Sequence, residues 1–231
     1  MVDVIYEDNH LLVCIKPQNI PTQKDITNDL DMLTMAKNYL KDKYQKPGNV
    51  FVGLVHRLDR PTGGVIVFAK TSKCAKRLSE QIKNKEFKKN YLCVVNGVPK
   101  NTAMTLENYL KKDDVHNKVS IVSKYTKDSK KAELQYEVLD TYKNNLALLN
   151  VNLLTGRSHQ IRVQMSGIKN PLFGDIKYGA KNIPNANLAL WAYKLSFLHP
   201  ITNNKMTFTV CPPLDNLPWK YFEKSIKNIC K

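Results

Sequence analysis

The sequence is short of acid, has no Cys-x-x-Cys pair, and contains no hydrophobic run long enough to cross a bilayer. Asp and Glu number 20 against 36 Lys and Arg, a formal charge of +16, with a sequence pI near 9.6. A balance this one-sided favours an acidic partner. The richest apolar stretch, Leu146 to Leu154, is interrupted by Asn150 and Asn152, so no membrane partner is expected. The opening Met1-Val2-Asp3-Val4 has neither the basic region nor the continuous apolar segment of a secretory signal, and cytoplasmic residence is the expectation. Cys14, Cys74, Cys93, Cys211 and Cys230 are scattered and odd in number, which predicts reduced, packing thiols. The five histidines lack ligand spacing, and no metal is expected. No repeat or low-complexity linker divides the chain. With 231 residues and 42% hydrophobic content, residues 1–231 are read as a single domain with one substantial core.

What is present is a mixed pattern, richer in strand than in helix. Val2 to Tyr6 and Leu11 to Ile15 read as a hairpin, and Lys16-Pro17 ends its second strand. Met32, Leu33, Ala36, Tyr39 and Leu40 recur at helical spacing, which predicts an amphipathic helix over 29–43 that stops near Pro47-Gly48. A second helix is expected over 72–84, with Cys74, Ala75, Leu78 and Ile82 on one face and Lys73, Lys76, Arg77 and Lys83 largely on the other. That basic face suits a phosphate backbone or plain solvent equally. Further strands are predicted at 91–95, 133–139, 146–153, 188–198 and 205–210, and a short helix near 216–227. The Lys-rich segment from Lys111 to Lys131 reads as a mobile hairpin suited to gripping nucleic acid, or as a solvated excursion. Nucleic acid is the stronger candidate partner, because counterion release from phosphates rewards clustered Lys and Arg. A membrane surface is the weaker one.

The stretch Val55-His56-Arg57-Leu58-Asp59-Arg60-Pro61-Thr62-Gly63-Gly64 sets one carboxylate between two guanidinium groups, ahead of an apolar run. Pro61 presets a turn, Gly63 and Gly64 allow positive φ or close approach, and Val65 to Ala69 reads as a buried strand. Taken alone, Asp59 is as much a turn cap as a reactive carboxylate.

Two more segments change that balance: Lys88-Lys89-Asn90-Tyr91-Leu92, and Thr155-Gly156-Arg157-Ser158-His159-Gln160-Ile161-Arg162 followed by Pro171 to Gly179. With Ile5 to Val13, Lys16-Pro17 and His56-Arg57-Leu58-Asp59, they resemble, in order and combination, the RluA-type RNA pseudouridine synthases across nearly the whole chain. The resemblance implies an α+β fold with a mixed, largely antiparallel central sheet, flanking helices and a basic catalytic cleft. It also implies isomerisation of uridine in structured ribosomal or transfer RNA, without a cofactor; a monomer is the default expectation. Asp59 matches the essential nucleophile or base, Tyr91 the active-site tyrosine that stacks on the base, and Arg162 the cation that keeps the aspartate ionised. Arg57 matches the residue that fills the place of the flipped base, while Arg60, Lys89 and Arg157 are candidates for RNA phosphates. His56, Thr62, Gly64, His159 and Gln160 are read as structural supports, with Ile161 and Val163 packing their helix.

Two departures stand out. Thr62-Gly63-Gly64 replaces the usual Thr-Ser-Gly, which is expected to soften the corner and spare activity. The pattern begins at Val2, so the small N-terminal RNA-binding domain of many relatives is not expected, and target selection falls to the catalytic domain, its basic loops or a partner. A catalytically silent RNA-binding or ribosome-assembly factor and a base-excising glycosylase are the rival readings.

Overall fold

The computed structural model describes residues 2–143 and 145–231. The chain runs β1 (Asp3–Glu7), β2 (Leu11–Lys16), α1 (Met32–Lys43), β3 (Gly53–Leu54), β4 (Gly63–Ala69), α2 (Ser72–Lys83), β5 (Lys88–Asn96), β6 (Ala103–Asp113), β7 (Lys118–Val122), β8 (Lys130–Tyr142), β9 (Leu146–Leu153), α3 (Gln160–Gly167), β10 (Leu190–Leu198), β11 (Lys205–Thr209) and α4 (Glu223–Ile229). It divides into two compact units: Met1–Lys88 with Ala192–Val210, and Lys89–Trp191 with Cys211–Lys231. Among the described residues no helix is long and apolar enough to cross a membrane.

In the first unit the strand order is β1-β2-β4-β10, with β3 on β4 and β11 on β10. The pairs β1·β2, β2·β4, β3·β4 and β10·β11 are antiparallel. The apolar runs of β2 and β4 are continuous because both faces are covered. Leu11, Val13, Val65, Val67 and Ala69 pack with Cys74 and Leu78 of α2. Their neighbours Leu12, Cys14, Ile66 and Phe68 pack with Met32, Ala36 and Leu40 of α1. The period of two in the strands thus sends alternate side chains to two helices.

Helix α1 starts later than its periodicity predicts. Asp31 caps it, accepting Thr34 N–H at 3.0 Å and the Thr34 hydroxyl at 2.7 Å. Met32 and Leu33 N–H donate back to the Pro21 and Thr22 carbonyls, which leaves residues 29 and 30 in the preceding loop. Helix α2 matches its expected span, but Arg77 of its basic face is taken by the Pro200 carbonyl.

The second unit carries the order β5-β9-β8-β6-β7, and these pairs are also antiparallel. Ala132, Leu134 and Tyr136 alternate inward along β8 as a strand should. Strand β6 was not expected, because only Leu106 and Leu110 of it are buried and their spacing of four imitates a helix. The hairpin expected within 111–131 is present as β6 and β7, but it is docked instead of free. Val119 is 3% exposed and packs with Leu110, Ala132, Val163 and Tyr178, and its N–H donates to the Tyr178 hydroxyl at 2.9 Å.

Candidate active site

Asp59 lies half-buried at a turn closed by Thr62 N–H to the Asp59 carbonyl at 2.9 Å. Segment 16–22, which follows β2, braces this corner. Lys16 Nζ donates to the Arg60 carbonyl at 3.0 Å and Gln18 Nε2 to the Pro61 carbonyl at 3.0 Å. Thr22 Oγ1 donates to the Leu58 carbonyl at 2.7 Å and accepts the Leu58 N–H at 3.2 Å. Gly64, at φ +124, carries the other constraint, since a Cβ there would sit 2.3 Å from the Ala192 carbonyl oxygen. Segment 16–22 thus holds the backbone of the corner at residues 58, 60 and 61.

Lys16 is fully buried, and its second donor bond goes to the Pro17 carbonyl at 2.9 Å. Burial pushes its pKa down from 10.5 to about 7, while the nearby Asp59 carboxylate pulls it up. A titratable cation thus lies near the Asp59 side chain in its own unit. Between about pH 7 and 10.5 the unfolded chain holds a proton on Lys16 that the native protein releases, so stability rises with pH across that window. From pH 7 to 9.5 the gain is expected to be about 3 kcal/mol. It is read as the difference between urea denaturation of the parent and of Lys16→Met, which lacks the titration; parallel pH profiles would contradict the assignment.

The other predicted residues of this unit divide by partner. Arg57 is exposed and has no hydrogen-bond or ion-pair partner among the described residues. Arg60 is engaged: Nε donates to the Asn19 carbonyl at 3.2 Å, Nη1 to Thr27 Oγ1 at 3.0 Å, and Nη2 to Asp29, with Asp25 at 3.6 Å. It organises loop 25–29. His56 Nε2 accepts Val67 N–H at 3.1 Å, and its ring packs 5.3 Å from Phe87.

In the second unit, Tyr91 is 6% exposed in β5, opposite Val151 of β9. Lys89, two residues earlier, places Nζ 3.0 Å from where a Cβ on Gly156 would be. Burial lowers the Lys89 pKa, and no carboxylate pairs with it among the described residues. Gln160 pins the turn ahead of α3: Oε1 accepts Thr155 Oγ1 at 2.8 Å and Arg157 N–H at 3.0 Å, and Nε2 donates to the Glu133 carbonyl at 3.1 Å. Arg157 is exposed, with Nε on the Lys131 carbonyl at 3.0 Å.

Arg162 is buried in a bidentate pair with Asp175, Nε to Oδ2 at 2.8 Å and Nη2 to Oδ1 at 2.7 Å. Its guanidinium carbon lies 5.0 Å from the centre of the Tyr178 ring. The Tyr178 hydroxyl in turn lies 2.8 Å from His159 Nδ1. His159 occupies the left-handed region at φ 49 just ahead of α3. The guanidinium is thus fixed on an edge by Asp175 and on a face by Tyr178.

A family model described as RNA pseudouridylate synthase matches residues 10–167. The chain belongs to that family. An uncharacterized RNA pseudouridine synthase of Helicobacter pylori is 33% identical over 96% of this chain and 71% of the relative. Ribosomal large subunit pseudouridine synthase C of Buchnera aphidicola is 30% identical over 98% of this chain and 70% of the relative. The structure titled human RNA pseudouridylate synthase domain containing 4 shares the fold, with a TM-score of 0.77 at 22% identity, covering 97% of this chain and 93% of that one. The synthase is accordingly an isomerase of uridine in RNA, with the α+β, largely antiparallel architecture that its RluA-type motifs imply.

Sequence reasoning about the synthase missed Lys16, Asp175 and Tyr178 as contributors. The signal for Asp175 is the need of a buried arginine for a carboxylate, in a segment already noted for following the Arg162 motif. Lys16 belongs to the Lys16-Pro17 motif, but nothing in it signals burial, because lysine is a surface residue by default.

Proposed function

We propose that the synthase flips a uridine out of folded RNA and isomerises it around Asp59, with Arg57, Lys89, Tyr91, Arg157 and Arg162 completing the site. The observation that carries this reading is a half-buried carboxylate on a braced corner, beside a buried lysine, in a chain of this family. The N1–C1′ bond of uridine breaks, the uracil turns in place, and C5 bonds to C1′. The C5 proton is lost and N1 gains one, so no electron leaves or enters and no cofactor is required. A carboxylate suits the sugar's developing positive charge, as in retaining glycosidases. Attack on the sugar, attack on the base and proton abstraction on a glycal route each use the same group.

Arg162 is the cation assigned to keep the carboxylate ionised, and Asp175 and Tyr178 hold it in one orientation. Tyr91 stacks on the uracil and serves the proton transfer. Extrusion of a base from folded RNA costs a few kcal/mol; the unpartnered Arg57 is suited to fill the gap. Lys89 and Arg157 offer a desolvated ammonium and a guanidinium to phosphates. Arg60 holds loop 25–29 in the free protein, and phosphate binding by it requires release from Asp25 and Asp29. The substrate is ribosomal or transfer RNA; the ribosomal name of the Buchnera relative supports the first. The two units act as one catalytic domain, in a cytoplasmic monomer.

The test is incubation with transcribed large-subunit ribosomal RNA and transfer RNA carrying tritium at uridine C5. Tritium release with the base retained is expected. Free uracil would instead indicate a glycosylase, and binding without release a silent RNA-binding factor.

A further inference from the structure

Between β7 and β8, residues 123–129 form a loop that holds itself together and turns an aromatic ring outward. Thr126 N–H donates to the Ser123 carbonyl at 3.0 Å and Ser129 N–H to the Thr126 carbonyl at 3.1 Å. Tyr125 N–H reaches Ser123 Oγ at 3.3 Å, and Ser129 Oγ the Lys124 carbonyl at 3.4 Å. These bonds order the backbone, yet Tyr125 is 85% exposed. One face of the ring carries Lys124 Nζ, 4.9 Å from its centre, and so much exposure leaves the other face open. Lys124, Lys127 and Lys130 have no carboxylate partner among the described residues. Lys131 is paired with Glu107 at 2.9 Å, and Asp128 is the one acid in the loop.

A single exposed apolar residue needs no explanation. An ordered, outward ring among unpaired ammonium groups is different, because it combines the two elements of sequence-tolerant nucleic-acid binding. Aromatic faces stack on unpaired bases, and lysines follow the backbone between them. The cation of Lys124 on one face of the ring leaves the other face for a base.

We infer that Tyr125 is a stacking platform for an unpaired RNA base, with Lys124, Lys127 and Lys130 holding the flanking phosphates. This site deepens the reading of the chain as an enzyme on RNA and rests on it, and it lies outside the residues that perform the isomerisation. It anchors the RNA strand and takes no part in bond-making.

The test uses the full chain carrying Asp59→Asn, so that turnover does not perturb binding. The probes are a short uridine-rich oligoribonucleotide and the same ribose-phosphate chain without bases, both followed by fluorescence anisotropy. Tyr125→Ala is expected to weaken the first probe on the order of tenfold and to leave the second unchanged. Tyr125→Phe and Tyr125→Trp retain parent affinity. Equal loss on both probes, or no loss on either, would overturn the proposal, the latter pointing to a protein partner for the ring. Failure of the isomerase reading shows separately, as absence of tritium release by the protein with Asp59 intact.

Discussion

Asp175→Ala is expected to lower the unfolding free energy by about 3–5 kcal/mol, because it leaves the Arg162 guanidinium buried with its two carboxylate bonds gone. Arg162 and Asp175 are 6% and 2% exposed, so water cannot take over as it would at a surface pair. Against a total stability of about 5–15 kcal/mol for a typical domain, that is a large share. Urea denaturation measures it. Asp175→Ala is also expected to reduce kcat more than KM, since in the proposed mechanism Asp175 orients Arg162 through its two hydrogen bonds. Replacing both partners, Arg162→Met with Asp175→Leu, separates the two effects: part of the lost stability returns, because neither charge of the pair is left without the other, while activity does not. A single Asp175→Ala variant as stable and as active as the parent would contradict this role.

The legible part of the site is the part that is local in sequence. Thr155 to Arg162 holds several partners within a few residues, and His56 to Gly64 carries the Pro and Gly of its own turn, so their turn chemistry and spacing show in the letters. The same is true of β2 and β4, whose continuous apolar runs follow from burial on both faces. What the letters conceal is pairing across distance. Asp175 meets Arg162 only because the chain folds back after α3. Lys16 is buried because carbonyls of residues 17 and 60 receive it. Nothing in the letters around Arg60 shows that loop 25–29 supplies two carboxylates to it. Strand β6 escaped because its buried residues are four apart, and the neighbouring hairpin read as mobile because its lysines outnumber the few residues, Val119 among them, that dock it.

Asp59→Asn is expected to cost more activity than any other substitution considered. Asparagine keeps the size of the side chain and most of its hydrogen-bonding capacity, but it can neither attack a carbon nor accept a proton at neutral pH. The corner should survive the change, because its braces from Lys16, Gln18 and Thr22 fall on the backbone of residues 58, 60 and 61 and not on the Asp59 carboxylate. Loss of the negative charge beside Lys16 lets burial lower that pKa further. Turnover is therefore expected to fall on the order of 10⁴-fold or more, as for removal of a group that acts directly in chemistry, with folding and RNA affinity retained. The deciding measurement is tritium release from C5-labelled uridine in RNA by the parent and Asp59→Asn proteins, each shown to be folded and bound to that RNA. The account predicts release by the parent and none above background by the variant; release by Asp59→Asn at the parent rate would contradict it.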